Sequence, residues 1–259
     1  MIQKFYENLQ ARIYPDRETL GTAAAEFAAG VISEACAQRG EARVILACAP
    51  SQNEFLAALT APSLRGADID WSKVIVFHMD EYVGFTAAVQ ESFRHYLRTH
   101  FLDLLPAQPT FHPILGEAPA LHAECVRYAR LLGEKPIDLA CLGIGENGHI
   151  AFNDPPVADF RDAQAIKVVE LDEACRQQQV NDGCFALLDL VPTQALTLTI
   201  PALFGARHVS TVVPGPRKAR AVRDALIGPV STACPASILR THSRAVLHLD
   251  RDSAALLEI

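Results

Sequence analysis

The sequence predicts an α/β fold in one domain, with a mainly parallel sheet covered by helices on both faces. Three observations predict it. Short apolar runs alternate with helical stretches of roughly 10 to 20 residues, the pattern of parallel strands joined by crossover helices. Some of these runs end in polar or glycine-rich turns, as strands do where an open sheet presents its chemistry. The 259 residues hold no Gly/Ser-rich linker, internal repeat or low-complexity segment, so 1–259 reads as a single unit.

Each element has its own signal. Thr19 to Gln38 reads as a helix, because alanines and the spaced Leu20, Phe27, Val31 and Ile32 form a buried stripe and Gly40 ends it. Val44 to Ala49 is a short buried strand. Ser51 stands three residues before Glu54, a capping-box pattern for a helix carrying Phe55, Leu56 and Leu59. Val74 to Phe77 is a second strand, running into His78-Met79-Asp80-Glu81. Glu91 to Leu105 is helical, and Glu117 to Leu132 is an amphipathic helix closed by Gly133. Ile137 to Ile144 is the strand before a glycine-rich bend. The stretch from Glu146 to Ala165 contains Pro155 and Pro156 and little periodicity, which suits a structured surface loop. Ile166 to Leu171, Ala195 to Ile200 and His208 to Pro214 are further strands. Gly215 to Leu226 is a helix entered through Gly215-Pro216, where proline suits the first turn. Ala245 to Leu249 is a last strand and Ser253 to Leu257 a short tail helix.

Composition narrows the function. Half the chain is apolar and 20% is charged, as in a folded globule. The net charge is −7 and no basic stripe is present, which argues against a nucleic-acid partner. No stretch reaches membrane-spanning length and the start has no apolar signal run, so a cytoplasmic protein without a membrane partner is expected. Seven scattered cysteines with no Cys-x-x-Cys pair read as reduced thiols. The dispersed histidines show no metal-ligand spacing, and no Gly-x-Ser-x-Gly elbow supports a serine hydrolase.

Three segments carry chemistry. Asp80-Glu81-Tyr82 follows an apolar strand directly, where the crevice of an open sheet forms, and Asp80 there suits a general base or the cap of the next element. His149 follows Gly148 in the second segment. It can pass a proton near neutrality, with Asn147 and Asp154 close enough in sequence to orient its ring. The Gly143-to-Gly148 spacing mimics a dinucleotide fingerprint, but Pro155 and Pro156 leave no room for the helix that motif needs. Third, Gly215-Pro216-Arg217-Lys218 begins a helix with basic residues at the end where anions bind, and either an anion grip or a solvated basic face fits.

Taken together, Met79-Asp80-Glu81-Tyr82-Val83-Gly84, Gly143 to Pro155 and Gly215-Pro216-Arg217-Lys218-Ala219 resemble the glucosamine-6-phosphate deaminase family, in its order and spacing. The resemblance extends over nearly the whole chain. The related 6-phosphogluconolactonases share the Gly-His turn, but Ile150-Ala151-Phe152-Asn153 looks like the deaminase branch. What the resemblance implies is a modified Rossmann-like fold and cofactor-free conversion of a sugar phosphate, glucosamine 6-phosphate to fructose 6-phosphate with release of ammonia. It implies Asp80 as the base moving a proton between C2 and C1. It implies His149 at ring opening, with Asp154 and Asn147 acting through it. Lys218, Ser51, Arg176 and Gly148 would contact the substrate or its phosphate. No metal is expected, and a homo-oligomer is left open.

Three departures from the family pattern stand out. Asp154 occupies a position usually held by Glu, which shortens the reach by about 1.5 Å and leaves either a backbone adjustment, a bridging water or a weakened role. Ser51-Gln52-Asn53-Glu54-Phe55 replaces a glycine-rich phosphate loop, so Glu54 brings negative charge unless a capping role absorbs it. Asn181 stands near where an arginine usually closes over the phosphate, leaving Arg176 as the neighbouring arginine. Another (phospho)sugar substrate, lactone hydrolysis and non-catalytic sensing are the alternatives these departures keep in view.

Overall fold

A computed structural model describes residues 1–61 and 69–258. The chain opens with a hairpin, β1 (Ile2–Tyr6) and β2 (Leu9–Tyr14), then the long helix α1 (Arg17–Arg39) and strand β3 (Ala42–Leu46). Next come α2 (Asn53–Thr60), β4 (Val74–His78), β5 (Asp80–Tyr82), α3 (Phe93–His100), β6 (Thr110–His112), α4 (Leu121–Gly133) and β7 (Leu139–Leu142). After the glycine-rich bend follow β8 (Ile166–Glu170), α5 (Glu173–Asn181), β9 (Gln194–Leu198), α6 (Ile200–Phe204), β10 (His208–Val213), α7 (Ala219–Ile227) and β11 (Ala245–Asp250).

The fold class is the expected single-domain α/β. Eight strands form the main sheet in the order β1-β2-β11-β10-β7-β3-β4-β6, parallel throughout except for the β1–β2 hairpin. The strands are apolar on both sides because both sides are covered. In β3, Val44 and Leu46 join a core with α1 and α2, while Ile45 joins the opposite core with Tyr128 of α4 and Val222 of α7. Crossovers from β3 lead outward to β4 and β6, and the chain then returns to the other side of β3 with β7. That reversal between β3 and β7 is the switch point at which open sheets bind ligands.

A second sheet, β5-β9-β8, is antiparallel and was not foreseen as a separate layer. The chain leaves the main sheet at His78, whose main-chain oxygen accepts from Tyr128 Oη at 2.7 Å and whose Nε2 accepts from Ile114 N at 2.7 Å. Two residues later it pairs with β9 instead, placing Asp80 opposite Thr197.

Several local expectations are corrected. The Ser51–Glu54 capping box does not form: Gln52 occupies the cap position without a side-chain bond, and Glu54 pairs with Arg17 at 2.7 Å. The helix expected from Glu91 begins only after Ser92, whose hydroxyl accepts from His95 N, and it ends at His100. The one expected from Glu117 begins at Leu121, because Glu117 turns away to pair with Arg94. Residues Ser253 to Leu257 form turns rather than a helix, with Ser253 N bound to Asp250 Oδ1 at 2.7 Å; so short a segment cannot repay helix nucleation. The hairpin β1–β2 and the polar helix α5 went unforeseen. Among the described residues, no helix is long and apolar enough to cross a membrane.

Glu81 anchors the layers around the switch point. Its carboxylate accepts from Tyr82 N, Phe93 N, Ser92 Oγ, Arg94 N and Arg94 Nε, all within 3.1 Å. Arg94 and Glu81 are both almost fully buried. Removing one partner of such a pair strands the other charge. Arg94→Met should therefore lower the free energy of urea unfolding by about 3–5 kcal/mol. A loss under about 1 kcal/mol, the range of exposed pairs, would show that Glu81 is held by the Ser92 hydroxyl and its backbone donors without the guanidinium.

Candidate active site

A cleft opens at the switch point, where open α/β sheets bind their ligands. Its walls come from segments beyond the carboxyl ends of four adjacent strands, β10, β7, β3 and β4. Ser51, Asp80, His149 and Lys218 all line it.

Asp80 is 7% exposed. Burial, and then the negative charge of Glu81, push its carboxyl well above the usual carboxylate range. Its position is fixed from both sides. Glu81 is tied to α3 through Ser92, Phe93 and Arg94, and Met79 O accepts from Leu198 N at 2.7 Å. The result is a buried carboxyl group that holds its proton more tightly than an exposed one and faces the cleft.

His149 faces the cleft from the glycine-rich loop. Its Nδ1 lies 2.7 Å from Asp154 Oδ1, and Asn147 Nδ2 donates to the same oxygen at 2.8 Å. Asn147 Oδ1 accepts from His149 N at 3.0 Å, so the amide braces both members of the dyad. Burial alone would raise the Asp154 carboxyl, but the contacts from His149 and Asn147 outweigh it and the net shift is downward. The shorter Asp thus reaches His149 directly. The loop makes that contact by folding back on itself, with Gly145 N bonded to His149 O and Asn153 N to Ile150 O. Two glycines are obligatory here. A Cβ on Gly145 would lie 2.2 Å from the His149 ring, and Gly148 has φ +85°. Phe152 N donates to Thr197 Oγ1 and Asn153 Nδ2 to Leu198 O, which seats the loop on β9.

The anion end differs from expectation. Lys218 is only 6% exposed, and burial lowers its pKa against the pull of Asp182 and Glu146. Ser51 Oγ accepts from Gln52 Nε2 at 3.0 Å and keeps its own proton available to the cleft. Arg176 is not at the cleft. Its guanidinium donates to the carbonyls of Leu188 and Val191, on the loop before β9. Gly148 does not line the cleft either; it serves as the pivot of the loop, and its carbonyl accepts from Ala236 N. Asn147 and Asp154 stand behind His149 rather than in the wall. Sequence reasoning missed Gln178, Gln179 and Asp182, which face the cleft from the end of α5. The signal was present: Asp172 followed by Glu173 marks a helix start, and Asp172 Oδ1 indeed accepts from Cys175 N. Among the described residues, His149, Asp154 and Cys175 are the group whose ligand atoms, all within 4.8 Å of one another, could hold a metal ion.

Comparison with known proteins follows the same lines. The family model for glucosamine-6-phosphate isomerases/6-phosphogluconolactonase matches residues 15–248. A glucosamine-6-phosphate deaminase of Bacillus cytotoxicus is 36% identical over 193 residues, 74% of this chain and 71% of that protein. One of Listeria welshimeri is 36% identical over 191 residues, covering 74% and 79%. A solved structure of a monomeric glucosamine-6-phosphate deaminase superposes with a TM-score of 0.86 at 30% identity, over 95% of this chain and 99% of that one. A 6-phosphogluconolactonase from Shewanella baltica shares the fold, with a TM-score of 0.75 at 18% identity over 93% and 96%.

Asp80 offers a test that needs no substrate. Because its folded pKa lies above its unfolded one, folding is penalised wherever the unfolded carboxyl is ionised. The penalty is absent below the ordinary carboxylate range, grows as pH rises through the unfolded pKa, and is complete above the folded one. Asp80→Asn should therefore unfold at higher urea than the parent at neutral pH, with the gain fading as pH falls into the ordinary carboxylate range. A variant less stable at every pH would contradict the electrostatic reading.

Proposed function

The chain belongs to the glucosamine-6-phosphate isomerase/6-phosphogluconolactonase family, and on that premise we propose that it converts glucosamine 6-phosphate and water to fructose 6-phosphate and ammonia. Amino-sugar-phosphate isomerase/deaminase activity is the level the family match carries; the choice of glucosamine 6-phosphate is our own reading. The observation that supports it is the pairing of two proton-transfer centres in one cleft, Asp80 from one strand end and the His149–Asp154 dyad from another.

The division suits the reaction. Opening the pyranose ring moves a proton onto O5, and His149, held by Asp154 and Asn147, serves that oxygen. Isomerisation moves a proton from C2 to C1, and one carboxylate between adjacent carbons serves both. Asp80 takes the C2 proton as O1 gains one, leaving an enolamine, and returns its proton at C1 as the nitrogen gives one up. The C2 imine so formed adds water and releases ammonia, so atoms balance and no oxidant or reductant enters. Lys218 holds the phosphate with help from the Ser51 hydroxyl.

The test is an ammonia-release screen over amino-sugar 6-phosphates and their non-amino counterparts. Glucosamine 6-phosphate should yield equal amounts of ammonia and fructose 6-phosphate. Asp80→Asn should lower kcat by about 10²- to 10⁴-fold while substrate still binds. Hydrolysis of 6-phosphogluconolactone with no ammonia from any amino sugar would overturn the proposal, as would an Asp80→Asn enzyme of full activity.

A further inference from the structure

A carboxylate that the proposed chemistry does not use stands at the anion end of the cleft. Asp182 lines the cleft together with Lys218 and, after burial, exerts the largest influence on that ammonium. A phosphate laid against Lys218 would also meet Asp182, and like charges placed together oppose binding. The neighbouring residue Arg217 answers this conflict. Its Nη2 lies 2.7 Å from Asp182 Oδ1, its Nη1 donates to Asn181 O at 2.6 Å, and its Nε is 3.5 Å from Glu146 Oε1. The other oxygen of Asp182 accepts from Gln178 Nε2 at 3.3 Å, and Gln178 Oε1 accepts from Glu146 N at 2.7 Å.

Arg217 thus touches both carboxylates nearest Lys218 and joins the end of α5 to the loop that carries His149. Arg220 and Arg223, both on α7, are 82% and 45% exposed in their side chains and pair with Asp224, so the position of Arg217 is not a general property of a basic helix face. We propose that Arg217 and Asp182 form the specificity element of the anion end. Arg217 is a positioning residue that masks Asp182, so that Lys218 presents an uncancelled positive charge to the phosphate. The pair also sets a selectivity: with Asp182 unmasked, a phosphorylated sugar loses affinity while a neutral one does not. The inference rests on Lys218 as the phosphate-holding residue.

Binding of glucosamine 6-phosphate, and of inorganic phosphate as a minimal probe, would be measured by calorimetry on the full chain, with KM and kcat alongside. Arg217→Ala should weaken both ligands by about tenfold, raising KM more than it lowers kcat. Arg217→Lys should keep most of the affinity. Asp182→Asn in the Arg217→Ala background should restore binding to within about threefold of the parent, because the unmasked charge is then gone. Failure of that rescue, or an Arg217→Ala protein that binds both ligands normally, overturns the masking role. Lys218→Met separates this from the underlying reading: if it binds phosphate as well as the parent, the anion end itself has been misplaced.

Discussion

The geometry of the cleft hangs on a buried carboxylate that takes no part in the proposed reaction. Glu81 accepts five hydrogen bonds from Tyr82, Ser92, Phe93 and Arg94. A buried charge persists only where such partners surround it. The demand fixes the start of α3 against β5, and with it the backbone that presents Asp80. The same charge acts on its neighbour, helping burial to hold the Asp80 carboxyl above its ordinary range. Structural anchoring and tuning of the base are therefore two effects of one side chain.

The two ends of the cleft obey different electrostatics. At the His149 end, Asp154 is shielded by short contacts and held well into its charged form. The short Asp154 side chain reaches His149 directly because the loop folds back on itself. At the Lys218 end, opposite charges interleave: Arg217 pairs with Asp182 and Glu146 beside the buried Lys218 ammonium. Glu54, which looked like a further negative charge, is neutralised by Arg17 instead.

How far the sequence could be read follows from these interactions. Strands such as 74–77 and 245–249 were visible because both faces are buried, and Asp80, His149 and Lys218 were visible because each follows directly on such a strand or its turn. The Asn147–Asp154–His149 cluster was legible because its members are close in sequence. What stayed hidden depends on distant partners. Nothing local says that Arg176 will be captured by the carbonyls of Leu188 and Val191, or that Arg217 will find Asp182 across 35 residues. The helix α5 is rich in glutamine and lacks a wide apolar stripe, so periodicity could not announce it, and Asp182 was lost with it. The second sheet was obscured because β5 has only three residues.

That second sheet has a mechanical consequence. Thr197 of β9 faces Asp80 across the strand pair, and its hydroxyl accepts from Phe152 N in the loop that carries His149. Both proton-transfer centres are therefore braced through the same residue of β9. Lys218 and Asp182 are mounted elsewhere, on the turn after β10 and the end of α5. Arg217 and Gln178 tie that end to the His149 loop at Glu146 through side-chain contacts, whereas the base and the His149 loop share the β5–β9 pairing. The looser side-chain ties fall where ligand would be captured and released, and the sheet pairing falls where the chemistry would occur.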